Sequence, residues 1–219
     1  MSLRKTSFIK GEYFHIYNRG NSKQKIFHDY SDYMRFTKIL YLSNSSRSFN
    51  MKDVSKDVFS FDKDNSIVSI GVYCLMPNHF HLLVTPIEEG SISKFMQKLT
   101  TAYSMYYNKK YERTGSLFEG KFKSQHINND RYLKYLFSYI HLNPIKLIDK
   151  NWKKDGIKNK QISFKFLEKY KYSSFQDYLG LIRSGNIILN KKAFPEYFPT
   201  DEKFQKEIFE WLSYKEENP

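Results

Sequence analysis

Two histidines separated by one aromatic residue open an apolar run: Met76-Pro77-Asn78-His79-Phe80-His81-Leu82-Leu83-Val84. In an extended strand, residues i and i+2 share a face. His79 and His81 therefore project side by side, while Phe80 points the other way into a core. Two imidazoles held in parallel begin a metal site, and a divalent ion asks for further oxygen or nitrogen donors. Thiolates are not among them. The single cysteine, Cys74, lies inside an apolar run, which excludes both an internal disulfide and a cysteine zinc motif.

The remaining donors come from a helix expected over Arg131 to about Leu142, which carries Tyr132, Tyr135 and Tyr139 and is followed by Asn143. Tyr139 and Asn143 are four apart and share a helix face. Asn143 offers an amide oxygen and Tyr139 a hydroxyl, with Tyr132 and Tyr135 as rival hydroxyls on neighbouring faces. A phenol is a poor nucleophile near neutral pH, since its free pKa is about 10. Against a metal-polarised phosphodiester it becomes competent and forms a covalent phosphotyrosine. A histidine pair, an amide donor and a tyrosine are the parts of a nicking enzyme. His126, at a strand end, is a further candidate for supporting the pair, and His141 faces away from Tyr139 on the helix. Glu88 and Glu89 read as a solvated loop.

These residues need elements to place them. Tyr13 to Gly20 is aromatic and β-branched and ends in a turn, so it predicts a first strand. Asp29 to about Leu42 predicts a capped helix with apolar residues at helical spacing. Ser43 to Asn65 is polar, a loop with an irregular strand near Val58–Phe61. Ser66 to Met76 and His79 to Thr85 predict a hairpin about a Pro77-Asn78 turn. Ser91 caps a helix that runs to about Lys110, and Lys121 to Ile127 alternates like a strand. Asn129-Asp130 caps the helix that Pro144 stops. The order is β-α-β-β-α-β-α. Its first six elements predict an α+β, ferredoxin-like (RRM-like) antiparallel sheet with helices packed on one face. Residues 1–149 form that domain in this reading, and residues 150–219 form a C-terminal helical extension packed on it. Lys150 to Lys160 reads as a basic linker, Lys171 to Gly180 as a short capped helix, and Thr200 to Pro219 as a short amphipathic helix.

Composition narrows the partner. The chain has 219 residues, 40% hydrophobic and 18% aromatic, with a formal net charge of +13. Such an excess points to a polyanion, most often nucleic acid, although a lysine-rich composition throughout a genome gives the same sum. Arg19, Arg113, Lys121 and Lys123 are candidates to hold phosphates, with Phe118 and Phe122 available for base stacking. Gly115 and Gly120 supply backbone turns. No apolar run is long enough to span a membrane, and Met1–Lys5 lacks the apolar core of a signal peptide. A cytoplasmic protein with no membrane partner is expected.

Four blocks in order resemble the REP-associated tyrosine transposases, single-tyrosine enzymes of the His-hydrophobe-His endonuclease superfamily. They are Tyr13 to Gly20, Cys74 to Leu83, Arg113 to Ser124 and Tyr139 to Pro144, and Lys171 to Gly180 resembles a further block downstream. The resemblance implies that His79 and His81 are metal ligands and that Asn143 is the polar third ligand. It implies Mg²⁺ or Mn²⁺ as the metal and single-stranded or hairpin DNA as the partner. It implies that Tyr139 attacks a phosphodiester, leaving a 5′-phosphotyrosine and a free 3′-hydroxyl, in a monomer or homodimer. The insert Ser43 to Asn65 and the tail after Gly180 depart from the pattern.

Two other readings remain. A ferredoxin-like sheet with aromatics and a basic surface also suits a domesticated DNA- or RNA-binding regulator that does not cleave. A hydrolytic metalloenzyme acting on a small molecule suits the histidine pair but leaves the charge unexplained.

Overall fold

The computed structural model describes residues 8–50, 54 and 57–213. The reading of Met1–Lys5 and the last residues of the tail lie outside them. The first strand is β1, Tyr13–Arg19, followed by helix α1, Tyr30–Ser43. A hairpin of β2, Val68–Met76, and β3, His79–Pro86, leads into α2, Ser91–Lys110, and β4, Lys123–Ile127. The strands lie in the order β2-β3-β1-β4 and every neighbouring pair is antiparallel. This is the ferredoxin-like order that the sequence predicts.

Alternation sorts the side chains between two cores. Phe14, Ile16, Phe80, Leu82 and Val84 face α1 and α2 and bury against Phe36, Leu40, Phe95, Leu99 and Tyr103. Each such apolar side chain contributes about 1.5–3 kcal/mol. The opposite face presents Tyr13, His15 and Tyr17 from β1 and His79, His81 and Leu83 from β3. In β2 an irregularity between Ile70 and Val72 resets the alternation. Gly71 occupies it because a side chain there would meet the Phe194 ring at 2.9 Å. Beyond the bulge Val72, Cys74 and Met76 join this second face. Burial pushes the Cys74 thiol well above its ordinary range, so it stays protonated and inert.

Helix α3, Asp130–Leu142, covers the second face with Leu133, Leu136, Phe137 and Ile140. The Asn129 side chain accepts a hydrogen bond from the Tyr132 amide at 3.0 Å and so caps it. The chain then forms α4, Trp152–Asp155, α5, Lys160–Lys169, α6, Phe175–Tyr178, and α7, Asp201–Ser213. Phe164, Leu167, Phe175, Phe204, Ile208 and Leu212 complete the second core. Thus α1 and α2 share one face, while α3 and the residues after it occupy the other. The outer edge of β2 is also covered: the Leu75 amide donates to the Tyr172 carbonyl at 2.9 Å, and the Ser174 amide donates to the Tyr73 carbonyl at 3.0 Å. Pairing of this kind removes an exposed edge.

Several local expectations change. Val58–Ser60 is a single 3-10 turn capped by Asp57, not a strand, because the Asp57 carboxylate holds the Phe59 amide. Gly90, at φ +76°, is the cap of α2, and the buried Ser91 hydroxyl makes no cap bond. Part of the expected basic linker is the helical turn α4, and α5 begins at Lys160 after a short connection capped by Asn159. Among the described residues no helix is long and apolar enough to cross a membrane.

Candidate active site

The turn at Pro77-Asn78 is clamped from outside the hairpin. The Gly20 amide donates to the Asn78 carbonyl at 2.9 Å, and the Ile26 amide donates to the Pro77 carbonyl at 2.8 Å. Only glycine fits at position 20, since a Cβ there would lie 2.4 Å from the Gln24 carbonyl oxygen. This fixes the start of β3 and with it the histidines. His79 stands opposite Arg19 and His81 opposite Tyr17. Their rings meet edge to face at 5.0 Å between centroids.

A third histidine joins them. His15, one strand over, places Nε2 2.8 Å from His81 Nδ1, with the two rings nearly parallel at 21°. Both are buried, His15 at 5% exposure and His81 at 7%. His79 Nδ1 lies 2.6 Å from the Asn78 side-chain oxygen. Each member of the pair therefore has its Nδ1 engaged by a neighbour. Burial, with the nearby Lys146, Arg19 and Lys153 charges, lowers His79 to about 4. Burial with Lys153 lowers His15 to about 4. His81 falls well below its ordinary value through burial and then its histidine neighbours and Lys153. Three neutral imidazoles at neutral pH are the result.

Helix α3 brings Tyr139 over this cluster from the same chain. Its ring stands edge-on to His81 at 6.1 Å and to His15 at 6.4 Å. Tyr135 stacks on Tyr139 at 5.7 Å and is itself held edge-on by Trp211 at 5.0 Å. Tyr132 stacks on Tyr135, a further turn away. Lys153 of α4 donates to the Tyr139 hydroxyl oxygen at 2.8 Å and lies 3.9 Å from the ring centroid. Asn143 is buried at the end of α3, where its Nδ2 donates to the Tyr139 carbonyl at 2.9 Å. That bond ties the Asn143 amide back to the turn of the helix that carries Tyr139.

The candidates for DNA contact disperse. Arg19 is held by Glu119 in a two-point ion pair, at 2.9 and 3.1 Å, at the rim beside His79. Arg113 packs on the Tyr107 ring at 5.5 Å, on the α2 side of the sheet and away from the histidines. Phe118 is a correction: it is 5% exposed and packs edge-on against Phe80, so no base can stack on it. Phe122 is half-buried against Phe8 on the same core. Lys121 and Lys123 are exposed, and Lys123 lies opposite Tyr17 on the histidine face. His126 is another correction. It pairs with Glu12 at 2.8 Å and packs on Phe14, on the far face from His79 and His81. His141 is fully buried, bonded to the Ser174 hydroxyl at 2.8 Å, and is structural.

Sequence reasoning did not reach His15, Asn78, Tyr17 or Lys153. For His15 and Tyr17 a signal existed: they alternate with Phe14 and Ile16 and so share a face. Lys153 had none, since it is one lysine in a basic stretch.

The donor set bears on which ion it would suit. Among the described residues no three His, Cys, Asp or Glu side chains gather as a metal cluster. Two imidazole nitrogens with an amide oxygen such as that of Asn143 would make a neutral set for a divalent ion, the nitrogens favouring a borderline one and the oxygen a harder one. They leave its charge unquenched for a phosphodiester, and the surrounding Arg19, Lys146 and Lys153 favour a site that fills together with an anion.

No curated protein matches the chain. One similar solved structure is described as "Structure of the REP associates tyrosine transposase bound to a REP hairpin"; it is 16% identical, covers 84% of this chain and 90% of that one, and has a TM-score of 0.49. A family model described as transposase IS200 like matches residues 10–143. That span holds His15, His79, His81, Tyr139 and Asn143, and covers more than half of the sequence. Family membership carries transposase-type DNA cleavage with it, and on this match the chain belongs to the IS200-like transposases.

Proposed function

We propose that the protein is a metal-dependent endonuclease and strand transferase for single-stranded DNA that cleaves through Tyr139, at sites beside hairpin-forming repeats. The observation that carries the reading is the Tyr139 ring standing edge-on over His81 and His15 of its own chain. His79, His81 and Asn143 would hold Mg²⁺ or Mn²⁺. The bound ion supplies Lewis-acid polarisation of the scissile phosphodiester.

The chain's own residues do the rest. The Tyr139 oxygen attacks phosphorus, the bond from phosphorus to the 3′-oxygen breaks, and the tyrosine proton is balanced by the one taken up by the departing 3′-hydroxyl. A 5′-phosphotyrosine keeps the energy of the diester, so a 3′-hydroxyl can later reverse the step on a new strand. Lys153 holds the attacking oxygen and offsets charge that builds there. Arg19 and Lys123 would offer positive charge to a strand entering the histidine face, while Lys121, beside residues of α2, and Arg113, Phe118 and Phe122 play no part in that path. Because Tyr139 reaches the pair within one chain, cleavage needs no tyrosine from a second copy.

The test is incubation with single-stranded DNA carrying the repeats that flank the coding region, in Mn²⁺, followed by denaturing electrophoresis. A protein–DNA adduct is expected with the unmodified chain and with Tyr17→Phe, whose ring lies 5.9 Å from His81. Tyr139→Phe is expected to lose the adduct and keep DNA binding. An adduct that survives Tyr139→Phe would remove this tyrosine as nucleophile. The RNA-binding alternative is less well supported, because α3 and the residues after it cover the sheet face such domains use. Hairpin binding with no adduct under any metal would favour a non-cleaving regulator.

A further inference from the structure

We infer that His15 and Asn78 are positioning residues that fix the tautomer and ring direction of the histidine pair, so that both present Nε2 to an ion. The inference rests on the reading that His79 and His81 hold the metal. Asn78 is itself oriented. Its Nδ2 donates to the Lys23 carbonyl at 3.2 Å, which leaves its side-chain oxygen toward His79. A carbonyl oxygen only accepts, so His79 Nδ1 carries the proton and the lone pair is on Nε2.

His81 has the same arrangement from the opposite direction. Its Nδ1 meets His15 Nε2 at 2.8 Å, and a bond between two neutral imidazoles needs one donor and one acceptor. For His81 to offer Nε2, its Nδ1 must donate and His15 must accept, which puts the His15 proton on Nδ1. His15 is suited to hold that role. It sits in the middle of β1, is 5% exposed, and packs on Tyr17 at 5.1 Å, so it cannot swing aside. Neighbours that engage the free nitrogen of a ligating histidine raise metal affinity about 10- to 100-fold.

Two measurements on the full chain test this. Mn²⁺ titration followed by electron paramagnetic resonance gives affinity without any cleavage. His15→Phe, which keeps a ring but accepts no bond, is expected to weaken Mn²⁺ binding about 10- to 100-fold. Asn78→Ala is expected to do the same, and His15→Gln, which keeps an acceptor, to restore most of it. Long-range ¹H–¹⁵N spectra of the metal-free protein are expected to show His79 and His81 protonated at Nδ1. His15→Phe binding as tightly as the unmodified chain, while His81→Ala does not bind, would overturn the role of His15. If His81→Ala binds as well as the unmodified chain, or neither binds, the metal reading fails instead. The spectra then decide alone, and a proton on Nε2 of either histidine would overturn the inference.

Discussion

Lys153 reaches the Tyr139 oxygen from outside the span that carries the family match, and its contact is charged. A hydrogen bond to a charged group is worth about 1.5–3 kcal/mol. Lys153→Met should therefore slow adduct formation about 10- to 100-fold with little change in thermal stability, which a single-turnover time course and a melting curve would show together. A rate within twofold of the unmodified chain would reduce Lys153 to a surface contact. His141 plays a different part. Burial, followed by Lys191, lowers it to about 3, against an ordinary value of 6.5. Between those values the unfolded chain binds a proton that the native chain does not, so stability rises with pH there and falls on acidification. The slope is about 1.4 kcal/mol per pH unit for one such group. Urea melts from pH 7 to pH 5 should show it, and His141→Gln should shallow the slope by up to one proton. An unchanged slope would mean that other groups carry the acid sensitivity.

At the scale of elements, the histidines depend on a turn and the tyrosine on a helix. The turn is held by Gly20, whose amide bonds Asn78 and whose α-carbon has a carbonyl oxygen where a side chain would go. Gly20→Ala must displace backbone, not a flexible side chain. It should cost about 1–3 kcal/mol, the range of overpacked cores, and loosen Mn²⁺ binding as well. Chemical denaturation checks the first and metal titration the second. A variant as stable and as tight as the unmodified chain would show that this clamp is dispensable. Helix α3 needs no such device. Its apolar residues face the sheet, and Tyr132, Tyr135 and Tyr139 form a stacked row along one side. The last ring of that row is the one over the histidines, so the stack sets its angle.

For the whole molecule, the decisive fact is that β2 is buried on both faces. One face belongs to the ferredoxin-like core. The other is closed by α3 together with Phe164, Leu167, Phe175, Phe204 and Ile208, all but α3 lying beyond residue 149. A fragment ending at Asp149 would expose Val72, Cys74, Met76 and the underside of α3 to water. Apolar surface left in water costs about 25 cal/mol per Å², set against a margin of about 5–15 kcal/mol for a typical domain. The 1–149 fragment should show no cooperative melting transition and should aggregate. A sharp transition by calorimetry would show that the first unit folds alone.

The sequence by itself determined the four strands and the first three helices and their order, because helix and strand periods, caps and turns are local properties of the chain; it did not find α4 or α5. It also determined that His79 and His81 share a strand face and that Tyr139 and Asn143 share a helix face, since both follow from spacing. What residues meet across elements was decided only by the tertiary structure. His15 reaches His81 over 66 positions through strand register. Arg19 is committed to Glu119 across 100 positions, and Phe118 sinks into the core with Leu117 although the glycine-rich loop around them is exposed. The tyrosine comes to its own chain's histidines because one face of the sheet is apolar around them and α3 must bury its stripe there. No local pattern encodes which helix covers a face. Packing chooses it, and here the choice assembles the site.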